Sequence, residues 1–486
     1  MVRRVQVTPA SLAARTRKPQ NGSKLDQFDF DEGLKSMSSA YAQYEAGHGD
    51  GGHLHDAHDG PNTLPANLNS PEILTVWRKR ALMVFAISAL VSLIFVLFPG
   101  GKTHMLRAYL VGFMMCFSFA GGGLVLLMLQ YVSGGKWGML LRRPLEAMTR
   151  TLGLVAILIL PIVFLSKHLY QWAAYPTPAA EADAFRHGWI TREQQLTAVA
   201  KYAMFNPVSA LIQTAVIFGV LGLLAYLLNK WSLDRDADPN AGTIASYDRW
   251  RTKFENLSGP GIFIYVVLLT DAALLWVMSL DVTWYSSIWG LKFLVGQGYA
   301  VLALGILTVM KLSKVEPMKT LLRTTEQHDL GKFIFAFVML NIYLTFAEFL
   351  IIWSGNVPDE IPWYLARIRG GWWVICSLNF ICHWLIPFCL LLSRNLKRSK
   401  KRMSAIAIFM ILARAIDLFW IIEPNFGDAK SNLHLAGNIG ILAYLTVPLS
   451  VVSLWAAYYF TQMMKRPLVN VNDPHLEEML EPEHAH

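Results

Sequence analysis

A small set of polar side chains lies inside or just beyond long apolar runs of this sequence: Asp271, Asp281, Lys292, Asn341, Glu348, Asn379, His383, Arg414 and Asp417. An ionisable group at the centre of a bilayer costs about 2.5 to 3.5 kcal/mol on insertion scales, so each needs a partner, water or a function. Asn341 and Glu348 are seven residues apart and Asn379 and His383 four apart. At helical spacing each pair shares a face and points into a bundle. Carboxylates and a histidine held this way can hand protons along water. Plainer roles stand beside that one. Arg414 and Asp417, at i and i+3, read as a structural ion pair, Lys292 can snorkel outward, and His383 reads equally well as a hydrogen-bonded core histidine. Asp271 and Glu348 have no opposite charge within a turn of their own helix. Each must be partnered across helices, hydrated or protonated.

The elements that hold these residues follow from composition. Of 486 residues, 54% are hydrophobic and 16% charged, which excludes an ordinary soluble protein. The apolar residues gather in runs of about twenty, the length a helix needs to cross roughly 30 Å of hydrocarbon. Ten spans are predicted, at 81–98, 107–132, 148–166, 205–228, 259–279, 287–310, 331–353, 371–392, 403–422 and 437–461. Only helices satisfy every backbone group in lipid at this span length, so the fold class is an all-α polytopic membrane protein. An even number of spans puts both termini on one side. The alternate flanks and loops that include both ends hold 24 Lys and Arg, and the opposite loops 9. Both termini are therefore expected in the cytoplasm. The net charge of +9 belongs to this topology and does not point to nucleic acid.

Three regions result: a disordered tail over 1–75, a membrane domain over 76–465 and a short cytoplasmic tail over 466–486. The first contains four histidines between His48 and His58, which could hold a metal but read more simply as a solvated low-complexity linker. No apolar core of seven or more opens the chain, so insertion through its own first span is expected in place of a cleaved signal. The loop at 167–204 is amphipathic from Glu181 to Tyr202, fitting a surface helix or a plain connection. Cys116, Cys376, Cys382 and Cys389 show no Cys-x-x-Cys spacing, which disfavours a cysteine-held cluster. His383 is alone among the spans, so a haem held by several histidines is not expected. No Gly-x-x-x-x-Gly-Lys-Ser/Thr occurs. Gly121-Gly122-Gly123 reads as close helix packing or a kink, with a groove for a quinone tail as the lesser alternative.

Certain stretches are specific enough to suggest a family. Met278-Ser279-Leu280-Asp281-Val282-Thr283-Trp284-Tyr285-Ser286-Ser287-Ile288-Trp289-Gly290 resembles a signature of the second NrfD-like membrane subunit of alternative complex III, the bacterial quinol:cytochrome c oxidoreductase. Arg142 to Met148, Lys167 to Ala173, Asp329 to Lys332, Trp353 to Trp372 and His383 to Phe388 agree in order, so the resemblance covers about 75–465. Val282 stands where the family commonly has Pro, and Thr283 where it often has His. The resemblance implies a polysulfide-reductase-anchor-like fold, two four-helix bundles plus flanking helices, in the bacterial cytoplasmic membrane. It implies as partners a sister NrfD-like subunit, an iron–sulfur subunit and c-type cytochromes, with lipids around them. It also implies a quinone or quinol near the chain, with no haem, iron–sulfur cluster or metal of its own. Quinone-proximal candidates are then Asp281, Trp284, Tyr285 and His168. Proton-pathway candidates are Asp271, Glu348, His383, Asp417, Arg414 and Lys292. A proton-coupled secondary transporter and a purely structural membrane anchor are the competing functions. If the carboxylates are tied to basic partners in a dry interior, only the anchor remains.

Overall fold

The computed structural model describes residues 71–470 apart from 96, 98–100, 241–242 and 427–441. The histidine-rich tract and most of both expected tails lie outside the described residues. Ten long helices follow one another: α1 (Ile73–Phe95), α2 (Gly101–Ser133), α3 (Met139–Phe164), α4 (Pro207–Asp236), α5 (Ile244–Trp276), α6 (Trp289–Leu312), α7 (Thr324–Gly355), α8 (Trp372–Leu392), α9 (Lys400–Ile422) and α10 (Ala443–Met463). Among the described residues there is no strand. Among the described residues nine helices, α2 to α10, are long and apolar enough to cross a membrane. The remaining expected span, 81–98, falls on α1, which carries Arg78, Lys79 and Arg80 inside the helix. Beyond that triplet α1 exposes an apolar stripe of Met83, Ile87, Leu90 and Leu93.

Two helices organise the rest. The apolar stretch of α2 is wholly buried inside the protein, and α2 packs against α3, α5, α6, α9 and α10. Helix α6 packs against α2, α3, α5, α7 and α9, while α1 lies along α10. Close approach to α2 depends on the glycine run. A Cβ at Gly121 would lie 2.9 Å from the Tyr265 hydroxyl of α5. At Gly122 it would lie 2.7 Å from Val301 of α6, and at Gly123 2.9 Å from Met148 of α3. Successive glycines therefore admit three different helices, the packing role expected of them.

Charges expected in loops are partly inside. Helix α3 begins at Met139 instead of 148, because Glu146, completely buried, is surrounded by basic groups. Arg143 donates to it at 2.8 Å and Arg466 at 3.2 Å, Ser232 donates at 2.7 Å, and Arg150 stands 3.9 Å away. Arg143 also pairs with Asp236 of α4. The segment after 465 is consequently not a free tail from its first residue: Arg466 is held by Glu146, and Leu468, Val469 and Asn470 are buried.

The loop from 165 to 206 forms two short helices, Pro178–Arg186 and Arg192–Ala200. Thr177 and Thr191 cap them through backbone N–H groups, Thr191 in a capping box with Gln194. Its ends are pinned to α5 and the turn after it, where the Tyr170 hydroxyl donates to the Trp276 carbonyl and the Trp172 indole to Ser279. We expect Glu146→Leu to remove the shared carboxylate of buried Arg143 and of the largely covered Arg150 and Arg466, and to cost about 3 to 5 kcal/mol. The check is thermal unfolding of the detergent-solubilised protein; a wild-type midpoint would show that Glu146 is not holding the cluster.

Candidate functional site

The intramembrane polar residues gather at the end of the bundle that carries the 165–206 loop. Trp284, stacked on Trp363 at 4.5 Å, and Trp289, edge-on to Trp363 at 5.6 Å, form an aromatic block between the start of α6 and the short helix Ile361–Ile368. Arg367 lies 3.3 Å over the Trp363 ring and donates to the Ile421 carbonyl and to Asn425. Lys201 from the long loop donates to the carbonyls of Val282 and Trp284 at 2.8 and 3.3 Å, holding the turn before α6. Burial lowers its ammonium pKa, and the nearby Asp281 carboxylate opposes that shift.

Beneath this block sits a first ion pair. Glu348 of α7, 4% exposed, pairs with Lys292 of α6, receives a hydrogen bond from Ser286, and accepts another from the Tyr364 hydroxyl at 3.0 Å. Lys292 does not snorkel outward: its ammonium ends on Glu348, because a matched buried carboxylate is within reach across the helix interface. Glu348 is thus partnered across helices, one of the three states open to it.

A second pair lies on α9. Arg414 and Asp417 bond to one another, as their spacing leads one to expect. Asn379 of α8 donates its amide to Asp417 at 3.0 Å, and His383 Nδ1 stands 3.6 Å from the same carboxylate oxygen. That last separation exceeds a hydrogen bond, and a small shift would close it. Arg414 reaches its place over Gly296 of α6, where a Cβ would come within 2.6 Å of the guanidinium.

Local structure aims His383. Residues Phe380–Leu385 form a π-helical segment within α8, between the α-helical pieces Trp372–Asn379 and Ile386–Leu392. Such segments recur at functional sites because they redirect one side chain and loosen the backbone ladder. Tyr299 of α6 meets the result twice: its hydroxyl donates to the His383 carbonyl at 3.3 Å, and its ring stands edge-on to the imidazole at 4.4 Å.

The two pairs are joined by a chamber of about 20 Å³ lined by Lys292, Asn341, Thr345, Arg414 and Asp417 together with aromatic residues. That is enough for one water molecule, and the lining supplies several polar partners for it. On the other side of Asp417 and His383 opens a groove of about 610 Å³ between α7 and α8.

Of the expected pathway residues, Glu348, Lys292, Arg414, Asp417 and His383 come together. Asp271 does not join them. It is half-buried on α5, on the same face as the exposed Phe263 and Val267. None of the four quinone-proximal candidates lines the chamber or the groove. Trp284 is 2% exposed with its ring against Trp363, and Asp281 accepts from the Thr283 backbone and hydroxyl at 3.2 and 2.7 Å. Tyr285 is 49% exposed, its phenol pKa raised by a hydrogen bond to Glu360, and His168 is exposed. Sequence reasoning passed over Ser286, Tyr299, Thr345 and Tyr364. Hydroxyl groups carry no transfer cost large enough to mark them in an apolar run, and Tyr364 lies in a segment that reads as loop.

We expect Lys292→Met alone to destabilise the protein by about 3 to 5 kcal/mol by leaving Glu348 charged and buried. Lys292→Met with Glu348→Gln should recover most of that loss. A double-mutant cycle on detergent unfolding midpoints measures the coupling, and simple additivity would mean the pair is not an energetic unit. Compared with protein-family models and with curated proteins, the chain matches none of either.

Proposed function

We propose that this chain is a membrane subunit of a quinol oxidoreductase, carrying no redox cofactor of its own, in which the residues from Glu348 to His383 conduct protons toward the 165–206 end of the bundle. The observation that carries the conducting role is the water-sized chamber between the two ion pairs. Two sealed pairs packed against apolar side chains would be scaffold. Pairs that both border one chamber, through Lys292 on one side and Arg414 with Asp417 on the other, supply consecutive proton carriers on this proposal: Glu348 with Tyr364 and Ser286, one water, Asp417, then His383. Lys292 and Arg414 stand beside these carboxylates as their charge partners.

The oxidoreductase assignment rests on the resemblance to the second NrfD-like subunit of alternative complex III. The grouping of helices supports it: α2–α5 and α6–α9 each close on themselves through neighbouring contacts, with α1 and α10 packed together beside them. On this proposal α1 also crosses the membrane, both termini face the cytoplasm, and the 165–206 end meets the periplasmic partners. Those partners are a sister NrfD-like subunit, an iron–sulfur subunit and c-type cytochromes in the bacterial cytoplasmic membrane. The unpaired Asp271 face belongs to no part of the proton route.

The test is made on the purified assembly. The chain should travel in mild detergent with multihaem c-type cytochromes and an iron–sulfur subunit; recovery only as a homo-oligomer in the same detergent would favour a proton-coupled transporter. Within that assembly Glu348→Gln should lower quinol-dependent turnover or proton release by about 10²-fold, the lower end expected when one proton-transfer group is lost, while Asp271→Asn leaves both near wild type. Unchanged proton release in Glu348→Gln, with assembly intact, would reduce the chain to a structural anchor.

A further inference from the structure

The groove between α7 and α8 is larger than helix packing requires and is walled by Phe346, Phe349, Tyr364, Phe380, Trp384 and Trp420. Its volume of about 610 Å³ lies within the range of small-molecule sites, roughly 300 to 1,000 Å³. Phe346 and Phe380 are 55% and 49% exposed on membrane-crossing helices, so the mouth opens sideways into the apolar surroundings of the bundle. A ligand would enter from the bilayer.

The floor is polar and unfinished. His383, 6% exposed, has Nε2 buried without a hydrogen-bond partner, and the buried Oδ1 of Asn379 also has none. Both residues line the groove. Their orientation is set from behind. Asn379 gives its amide to Asp417, which leaves its carbonyl oxygen without a bond inside the protein. His383 Nδ1 faces the same carboxylate, which favours the proton on Nδ1 and leaves Nε2 a bare acceptor. Two buried acceptors call for a ligand that donates hydrogen bonds. The Trp384 indole N–H, also buried and unpartnered, adds one donor for a ligand oxygen.

We propose that this groove binds a lipid-soluble, hydroxyl-bearing ring, a quinol by chemical class, with its hydroxyls on His383 Nε2 and Asn379 Oδ1, its ring among the aromatic walls and its tail toward the bilayer. The reduced form is selected over the oxidised form, because a quinone ring presents only acceptors to two acceptors. The claim concerns binding alone. It deepens the proposed function by placing the quinol at the inner end of the proton route, and it moves the site away from Asp281, Trp284, Tyr285 and His168.

Cys376 lines the groove and serves as reporter. The full chain, with Cys382→Ser and Cys389→Ser to silence the other accessible thiols, is placed in lipid nanodiscs and labelled with a lipid-soluble maleimide in the presence of decylubiquinol, decylubiquinone or oleic acid. We expect decylubiquinol to slow labelling of Cys376 in a saturable way and to be at least about tenfold more potent than decylubiquinone, the difference expected from one to two hydrogen bonds. His383→Leu and, separately, Asn379→Leu should each lose that preference while the protein still elutes as wild type. No protection by decylubiquinol, or equal protection by decylubiquinone or oleic acid, overturns the proposal and leaves an apolar groove filled by lipid. The wild-type arm decides without relying on any variant. Because the isolated chain is used, failure here leaves the co-purification test standing, and failure there leaves this one standing.

Discussion

Buried charge has to be matched inside this protein, and the Lys292–Glu348 pair is where that constraint bears hardest. A carboxylate and an ammonium removed from water lose solvation worth several kcal/mol each, and they recover it only with close geometry and extra hydrogen bonds. Here Ser286 and Tyr364 supply the extra bonds. Each comes from a different segment, so the pair ties α6, α7, the turn before α6 and the short helix Ile361–Ile368 into one unit. The aromatic block of Trp284, Trp289 and Trp363 then closes over it and excludes water from that side. Remaining solvent access is through the chamber toward Arg414 and Asp417.

The scaffold around these pairs is built from close approach. Three consecutive glycines let α3, α5 and α6 press on α2, and Gly296 lets the Arg414 guanidinium lie against the α6 backbone. Lipid provides no hydrophobic drive between helices, so contact at short range and interhelical hydrogen bonds must hold the bundle together. The same logic explains the Glu146 cluster at the other end. There three arginines, Ser232 and Asp236 gather around one buried carboxylate and draw in the segment after α10. One end of the protein is therefore a dense network around a single buried carboxylate. The other borders a chamber and a groove.

Fold class, nine of the ten expected spans and the burial of Glu348, Arg414 and Asp417 were legible in the chain because runs of about twenty apolar residues and their interruptions are one-dimensional signals. The pairing of Arg414 with Asp417 was legible for the same reason, since i and i+3 on a helix are neighbours whatever surrounds them. The role of Gly121 to Gly123 in packing could also be read, though not the three helices that each glycine would admit. What misled was position relative to the lipid. Arg142, Arg143 and Glu146 count as loop charges by sequence, yet they lie buried, and Arg466 is drawn in beside them, because a cluster of matched charges at a bundle end can be taken inside as a set.

Taken alone, the sequence determined that this is a helical membrane protein with acids and one histidine held within its spans. It could not say which of them meet. Lys292 and Glu348 are on different helices, as are His383 and Asp417, and the groove between α7 and α8 is lined in part by the π-helical segment Phe380–Leu385. Such encounters depend on crossing angle, rotation and register of packed helices, which no local periodicity encodes. They are fixed when all the side chains of neighbouring helices are accommodated at once, and only the tertiary structure does that.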